Sequence, residues 1–277
     1  NVINFCLNAF FLFVLHKGVA GVATATVISR IINLVIVVLL GAVLVKAKQH
    51  PERESNRAVM GQIIRIGLPS ACETAIYNVS MTLVIRFLNQ MDAQGLNVTA
   101  RSYTMQITNF SYCVGAALAQ ANAIMTGWHI GAKEYDACDR GTKKAAVIGV
   151  IVAVILETVF TLCSGWIMQL FSKDPQMVSL VGKLLAIDIV LEIGRVTNLV
   201  YGQALKTSGD AVFPVVMGAC FMILCSVGGT YLFGIRLGLL AVGAYIGMTG
   251  DECVRAVGMY LRWKSGKWKE KGLVKSR

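Results

Sequence analysis

Residues 184–200 read LLAIDIVLEIGRVTNLV, a strongly apolar stretch with charged side chains at its centre. Asp188, Glu192, Arg195 and Asn198 follow one another at intervals of four, three and three residues. Positions three and four apart share one face of an α-helix, so these side chains form a single polar stripe. The stripe must face protein or a water-filled cavity, because a charge exposed to lipid costs about 3 kcal/mol or more.

The composition places the whole chain in a membrane. Of its 277 residues, 56% are hydrophobic and only 15% are charged, whereas soluble domains carry roughly 25% charged residues. A helix needs about 20 residues to cross a hydrocarbon core of about 30 Å. Seven apolar stretches meet that length and predict an all-α, polytopic helical membrane protein. They lie at about 19–45, 62–88, 98–127, 145–170, 177–205, 211–233 and 238–262.

The net charge of +11 is explained by topology. Five Lys and Arg residues follow the first span, four follow the third, one follows the fifth and seven lie in the tail, 17 in all, and these turns share one side. The opposite turns hold only Lys17, Lys173 and Arg236. This asymmetry is typical of the positive-inside rule. It predicts a multi-pass protein of the plasma membrane with a cytoplasmic tail, and it requires no nucleic-acid partner.

An internal similarity indicates a repeat. GVAGVATATVIS begins at Gly18 and GLLAVGAYIGMT begins at Gly238, and both open a long span. Carriers are often built from two such halves, with the substrate site between them. We therefore expect the end of one lobe followed by a complete six-helix lobe. The predicted divisions are 1–45 (end of the N-terminal lobe), 46–61 (cytoplasmic linker), 62–262 (C-terminal lobe) and 263–277 (basic cytoplasmic tail).

The stripe at the centre of 177–205 is the first candidate site. Two carboxylates, Asp188 and Glu192, face one base, Arg195, which leaves a surplus negative charge in a place of low dielectric constant. A proton or another cation should therefore bind there, and a proton would belong to the carboxylate pair as a whole. The alternative is that Glu192 and Arg195 form a buried pair that only fixes helix packing.

Glu73 is the second candidate, in the segment GLPSACETAIYN. Pro69 lies one turn earlier and is expected to kink the helix and free backbone carbonyl groups. Tyr77 and Asn78 extend the polar patch. A proline near an acid within the membrane is typical of ion sites, although a Glu hydrogen-bonded to a neighbouring helix is an equally good interpretation.

Other polar residues within the spans are weaker candidates. Gln106 and Asn109 either line a cavity or hold helices together, and Glu157 is an acid amid Ile, Val and Leu. Asp251 and Glu252, which have Arg255 within one turn, are interpreted as packing. The remaining aromatic signal, Trp263 and Trp268, predicts an interfacial belt. The cysteines and histidines are scattered, so no metal site is expected beyond possible Na⁺ at the carboxylates. No nucleotide-binding or hydrolase motif occurs, so we expect neither an enzyme nor a cofactor.

Several turns resemble those of the multidrug and toxic compound extrusion (MATE) family of antiporters. The matching segments are GVAGVATATVIS (18–29), IGLPS (66–70), GWHIGAK (127–133), LFSKD (170–174) and GQALKTSGDAVFP (202–214). Their order and spacing hold along nearly the whole chain. The resemblance implies twelve helices in two lobes, of which 1–45 would supply a partial fifth helix and the sixth. It also implies a central cavity that opens to alternate sides and export of cationic or amphipathic compounds driven by H⁺ or Na⁺.

The family's coupling acids do not transfer directly. Many members have an acid two turns after the seventh-helix proline, where this chain has Tyr77. Members with a tenth-helix Asp have it eight residues before the turn glycine, where this chain has Gly194. The acids present here are displaced from both positions.

Our functional prediction is a MATE-like antiporter in which Glu73, Asp188 and Glu192 face a shared cavity. Arg195 would tune the acids, and Asn198 and Tyr77 would supply neutral ligands. The expected partners are a small-molecule substrate, the bilayer and the missing N-terminal lobe, with no requirement for an oligomer. A flippase for lipids or lipid-linked sugars of the same superfamily remains open, as does a non-transporting scaffold or receptor.

Overall fold

The structure, a computed structural model, describes residues 2–44, 56–91 and 95–271. The described residues are 90% helical and contain no strand. Contacts divide it into two compact units, Asn1–Asn56 and Arg57–Arg277. The predicted all-α membrane class is confirmed.

The first unit contains two helices. Helix α1 covers Val2–Ala9 and continues as a π-helical turn, Phe10–Val14, while α2 covers Gly18–Leu44. The Asn4 amide donates a hydrogen bond to the Ser29 hydroxyl at 3.0 Å, which joins the two helices. Within α2, the apolar segment Gly18–Ala42 has a mean hydropathy of 2.2 and is long enough to cross a membrane.

The second unit contains six long helices among its described residues. They are α3 (Asn56–Met91), α4 (Leu96–Gly131), α5 (Tyr135–Leu162), α7 (Pro175–Thr207), α8 (Val212–Phe221) and α9 (Leu240–Lys264). A short helix, α6 (Ser164–Met168), follows α5, and a 3₁₀ turn, Lys267–Glu270, follows α9. The α8 helix continues through π-helical turns at Met222–Val227 and Thr230–Arg236, so that Val212–Arg236 forms one apolar span of 25 residues.

The fourth predicted span is displaced. It was expected at 145–170, but α5 occupies Tyr135–Leu162 and ends where Ser164 starts a separate short helix. Apolar residues continue on both sides of this break, so hydropathy alone does not reveal it. The predicted linker, 46–61, lies largely outside the described residues, although α3 already begins at Asn56.

Helix α5 shows how the lobe separates its interior from its outer surface. Its buried face carries small residues, Ala146, Gly149 and Ala153, at intervals of three and four. Its opposite face exposes large apolar side chains suited to lipid contact, including Val147, Ile148, Ile151, Ile155 and Leu162. Small residues let helix backbones approach closely in a membrane, where no hydrophobic effect drives helices together.

The fully buried Val196 of α7 packs against a glycine of α4 and a glycine of α5. A Cβ atom added to Gly115 of α4 would lie 2.8 Å from one Val196 methyl carbon, and a Cβ atom added to Gly149 of α5 would lie 2.8 Å from the other. The valine therefore occupies space that exists only because both neighbours are glycines.

The predicted interfacial tryptophan belt is wrong. Trp263 and Trp268 are each only 1% exposed, and their rings stack with centroids 4.2 Å apart. The Trp263 indole N–H donates to Asp139 of α5 at 2.9 Å, and the Trp268 indole N–H donates to the Trp263 carbonyl oxygen at 2.9 Å. Each N–H has a partner inside the protein, so both rings pack in the lobe and neither anchors it in the membrane interface.

The turn between α7 and α8 is stabilised by ion pairs of Asp210, whose side chain is fully buried. Gly209, with a φ angle of 92°, allows the turn a conformation that disfavours other residues. Arg262 and Lys271 donate hydrogen bonds to the Asp210 carboxylate at 2.6 and 2.7 Å. Burial alone would raise the pKa of Asp210, but these charged hydrogen bonds outweigh it and hold the pKa below its ordinary value. The segment GQALKTSGDAVFP thus has a structural role, because it ties α7 to the end of α9.

The packing around Val196 predicts different effects for two glycines of α5. We expect Gly149→Ala to lower the midpoint of thermal unfolding, because its methyl group would collide with Val196. The matched control is Gly141→Ala, where an added Cβ atom meets nothing within 4 Å and where alanine favours a helix by up to about 1 kcal/mol. The check is differential scanning fluorimetry of the purified full-length protein in detergent. Equal midpoints for the two variants would contradict this packing.

Candidate functional site

The polar stripe of α7 is buried inside the lobe. Asp188 is 1% exposed, Glu192 is 0% exposed and Asn198 is 9% exposed. Arg195 donates a hydrogen bond to one Glu192 oxygen at 2.8 Å, one turn away on the same helix. The helical spacing therefore predicted both the shared face and this contact, but the second Glu192 oxygen has no hydrogen-bond partner.

Helix α9 supplies the neighbouring charges. The Arg195 Nε atom lies 3.8 Å from a carboxylate oxygen of Glu252, and the Asn198 amide donates to the other Glu252 oxygen at 3.0 Å. Arg255 lies 2.9 Å from the same Glu252 carboxylate. Glu252 therefore connects the stripe on α7 with the base on α9.

The π-helical turn that continues α8, Met222–Val227, joins this network. It does so through Ser226, which contacts Asp251 of α9. Arg255 donates two hydrogen bonds to Asp251, at 2.9 and 3.0 Å, and the buried Ser226 hydroxyl donates a third at 2.9 Å. A bidentate contact between a guanidinium and a carboxylate is strong and restricts orientation. The predicted pairing of Asp251 and Glu252 with Arg255 is therefore present, but it belongs to a larger network.

Glu73 lies in a second ion pair, between α3 and α7. Lys206 donates a hydrogen bond to Glu73 at 2.6 Å, and both side chains are 21% exposed. The two residues are 133 positions apart in the chain. No local sequence pattern connects residues so distant, and the sequence analysis treated Lys206 only as a topology signal.

A cavity of about 430 Å³ is lined by residues of both ion networks. Its lining includes two acids, Glu73 and Glu252, and three bases, Arg195, Lys206 and Arg255. The rest of the lining is polar or apolar: Ser70, Thr74, Tyr77, Tyr112, Asn198, Leu199, Gly202, Gln203, Pro214, Met222 and Met259. Ligand pockets usually enclose about 300–1,000 Å³, so the cavity is large enough for a small molecule.

A smaller cavity of about 190 Å³ lies beside it and shares Tyr77, Tyr112 and Arg195 with it. Asp188 lines this smaller cavity, and one of its carboxylate oxygens has no hydrogen-bond partner. Arg101, 5% exposed, adds a buried base that the sequence analysis did not single out.

The three predicted coupling acids do not line one cavity. Glu73 lines the larger cavity and Asp188 the smaller one, whereas Glu192 is buried beside Arg195 and is not among the described lining residues of either. Their expected arrangement around a shared cavity is therefore corrected to two adjoining cavities and one enclosed carboxylate.

The predicted neutral ligands, Asn198 and Tyr77, and the other predicted cavity residues are also divided between the two cavities. Tyr77 lines both of them, Asn198 the larger and Asn109 the smaller. Asn78 and Gln106 are exposed and are absent from the described lining of both cavities. Among the residues that the structure describes, no three Cys, His, Asp or Glu side chains are grouped so as to hold a metal ion.

The close approach of α7 and α9 explains why Gly194 occupies its position. A Cβ atom added there would lie 2.9 Å from the backbone of Glu252 and Cys253. An aspartate therefore does not fit at Gly194 without a shift of the α9 backbone. The acids of α7 lie at 188 and 192, and only Asp188 lines a cavity.

These features define a helical membrane protein whose interior carries polar cavities lined by ion pairs. The family model described as MatE matches residues 69–232, more than half of the chain. The chain therefore belongs to the MatE family, which consists of transporters rather than enzymes.

Known relatives agree in sequence and in fold. The uncharacterized transporter YisQ of Bacillus subtilis (strain 168) is 33% identical over 280 residues, covering 99% of this chain and 61% of YisQ. A probable multidrug resistance protein NorM of Thermotoga maritima is 21% identical over 266 residues, covering 94% of this chain and 56% of that protein. The solved eukaryotic MATE transporter AtDTX14 superposes with a TM-score of 0.85 at 18% identity, over 98% of this chain and 61% of that one. The chain thus spans about six-tenths of these relatives.

The ion pair between α3 and α7 predicts compensation between two charge reversals. Glu73→Lys and Lys206→Glu should each lower the midpoint of thermal unfolding, because each places like charges about 3 Å apart. The double reversal should recover at least half of the loss. The matched control combines Lys206→Glu with Glu134→Lys, since Glu134 is 59% exposed and contacts His129 rather than Lys206. If both double variants are equally unstable, the pair does not connect the helices as described.

Proposed function

We propose that the full protein is a cation-coupled antiporter that exports cationic or amphipathic small molecules by alternating access. The observation that carries the proposal is the cavity of about 430 Å³, bordered by charged groups from α3, α7 and α9 in a lobe of the MatE family. Charged residues within a membrane are expensive and usually mark a substrate or ion pathway. The names of the multidrug resistance relatives support an efflux role.

Coupling is assigned to two acids of α7, one that lines the smaller cavity and one that is enclosed beside Arg195. Asp188 and Glu192 accept the coupling cation, H⁺ or Na⁺, and Arg195 adjusts their affinity because it already neutralises one of them. Asn198 and Tyr77 provide neutral ligands from the lining. No other cofactor is proposed.

Glu73 links the cation to helix movement. When a cation neutralises Glu73, Lys206 loses its partner and the attraction between α3 and α7 weakens. A cation that binds one conformation better than the other shifts the equilibrium between them. Cation entry thus biases the lobe between its inward-open and outward-open states.

The remaining features of the proposal follow from the same architecture. The lobe acts together with a preceding lobe, in the plasma membrane, with the basic tail in the cytoplasm. A small-molecule substrate and the bilayer are its partners, no nucleic acid takes part, and no oligomer is required.

A lipid flippase is the second candidate function. The larger cavity has three basic and two acidic side chains in its lining, so this lining has no surplus of acids that would attract a cationic drug. Arg195, Lys206 and Arg255 would suit an anionic headgroup. The choice between the two functions therefore depends on which cargo the protein moves.

The test is transport by the full-length protein in proteoliposomes. We expect an imposed proton or sodium gradient to drive movement of ethidium, and we expect Asp188→Asn and Glu192→Gln to abolish the driven component because they remove the carboxylates that take up the cation. Exposed Glu134→Gln is the matched control and should behave as wild type.

Three outcomes separate the possibilities. Unchanged cation-driven export in both variants would reject the assigned coupling acids. Transfer of a fluorescent phosphatidylglycerol between leaflets, without movement of ethidium and sensitive to Lys206→Gln, would replace the antiporter with the flippase. Transport of neither cargo would leave only a scaffold or receptor role and contradict both proposals.

A further inference from the structure

Glu157 of α5 is the most isolated acid among the described residues. It is 0% exposed, and neither of its carboxylate oxygens has a hydrogen-bond partner. The most apolar 18-residue stretch of the surrounding helix, Tyr135–Leu162, has a mean hydropathy of 2.5. The transport scheme above does not use Glu157, and the sequence analysis placed it among the weaker candidates.

Its position continues the small-residue face of α5. Gly149, Ala153 and Glu157 follow one another at intervals of four, and all three are buried against the neighbouring helices. A packing role alone would favour another small or apolar residue here, because a glutamate without partners weakens the packing. The acid therefore calls for a chemical explanation.

The groups that face Glu157 come from two helices. The Ser111 hydroxyl of α4 lies nearby without a hydrogen bond of good geometry. From α7, Asp188, Glu192 and Arg195 are all within electrostatic reach. Arg195 already forms an ion pair with Glu192 at 2.8 Å. Among the described residues that face Glu157, no other base is present to neutralise it.

The environment favours the neutral acid. A buried carboxylate with neither a hydrogen bond nor a paired base is strongly destabilised, and it takes up a proton instead. Two more acid oxygens in the group, one on Asp188 and one on Glu192, are likewise buried and without a partner.

We propose that Glu157 is a proton-binding site that exchanges its proton with the Asp188–Glu192 pair across the interface of α5 and α7. The proton binding stands independently, while its use in transport rests on the antiporter function proposed above. The exchange moves one proton from a carboxylic acid to a carboxylate, so charge and atoms are conserved. Asp188, which lines the smaller cavity, provides the route to water.

The test is infrared difference spectroscopy of the full-length protein in lipid, titrated with pH. A protonated carboxylic acid has a C=O stretching band that an ionised carboxylate lacks. We expect Glu157→Gln to remove such a band and Glu134→Gln to keep it. The band should also decrease at high pH and change in Asp188→Asn or Glu192→Gln, because those residues exchange the proton.

Two spectroscopic results would overturn the proposal. If the wild-type band is the same in Glu157→Gln, Glu157 is not protonated. If the band is removed in that variant but is insensitive to pH and to the α7 variants, the proton is fixed and no exchange occurs. Glu157→Asp, which retains an acid, should shift the band without removing it, and it serves as the second variant if Glu157→Gln does not fold.

A transport arm separates this proposal from the antiporter function. In proteoliposomes, Glu157→Gln should still bind ethidium but should lose proton-driven movement of the dye. If wild type moves no dye at all, the antiporter function fails while the infrared result on Glu157 still stands. If proton-driven movement persists in Glu157→Gln, or if Na⁺ alone drives the wild type, the proton on Glu157 has no part in transport.

Discussion

The second unit depends on the neutralisation of acids inside a membrane. Arg195 lies at the centre of this constraint, 2.8 Å from Glu192 on its own helix and 3.8 Å from Glu252 on α9. A charge without a partner in this environment is far more expensive than one at a surface. Asp251, which accepts three hydrogen bonds, can remain ionised, whereas Asp188, Glu192 and Glu157 each keep at least one buried oxygen without a hydrogen-bond partner. The cation and proton binding proposed above uses these three acids, together with Glu73.

Helix packing makes this arrangement possible. The glycines that face Val196 bring α4 and α5 against α7, and Gly194 does the same for α7 and α9. The close approach keeps the ion pairs short and leaves room for side chains only at selected positions. Gly194 leaves no room for a side chain against α9, and the acids on α7 occupy positions that the packing permits.

The sequence predicts features that arise within one helix and misses those that form between helices. The stripe on α7 and the contact of Arg195 with Glu192 follow from helical periodicity, and the membrane class follows from hydropathy. The pairing of Glu73 with Lys206 joins residues 133 positions apart, and the contact of Asn198 with Glu252 joins residues 54 apart. Such pairs depend on how helices are arranged around each other, which periodicity does not determine. Trp263 shows the same limit, because its partner Asp139 lies on another helix.

A double-mutant cycle on Glu192 and Arg195 tests the central constraint most directly. Arg195→Met leaves a fully buried Glu192 without its base, which should destabilise the full-length protein by about 3–5 kcal/mol. Adding Glu192→Gln removes the isolated charge and should restore most of the lost unfolding free energy, measured by denaturant titration in detergent micelles. Neutralisation by Arg195 would be contradicted if the double variant were no more stable than Arg195→Met alone.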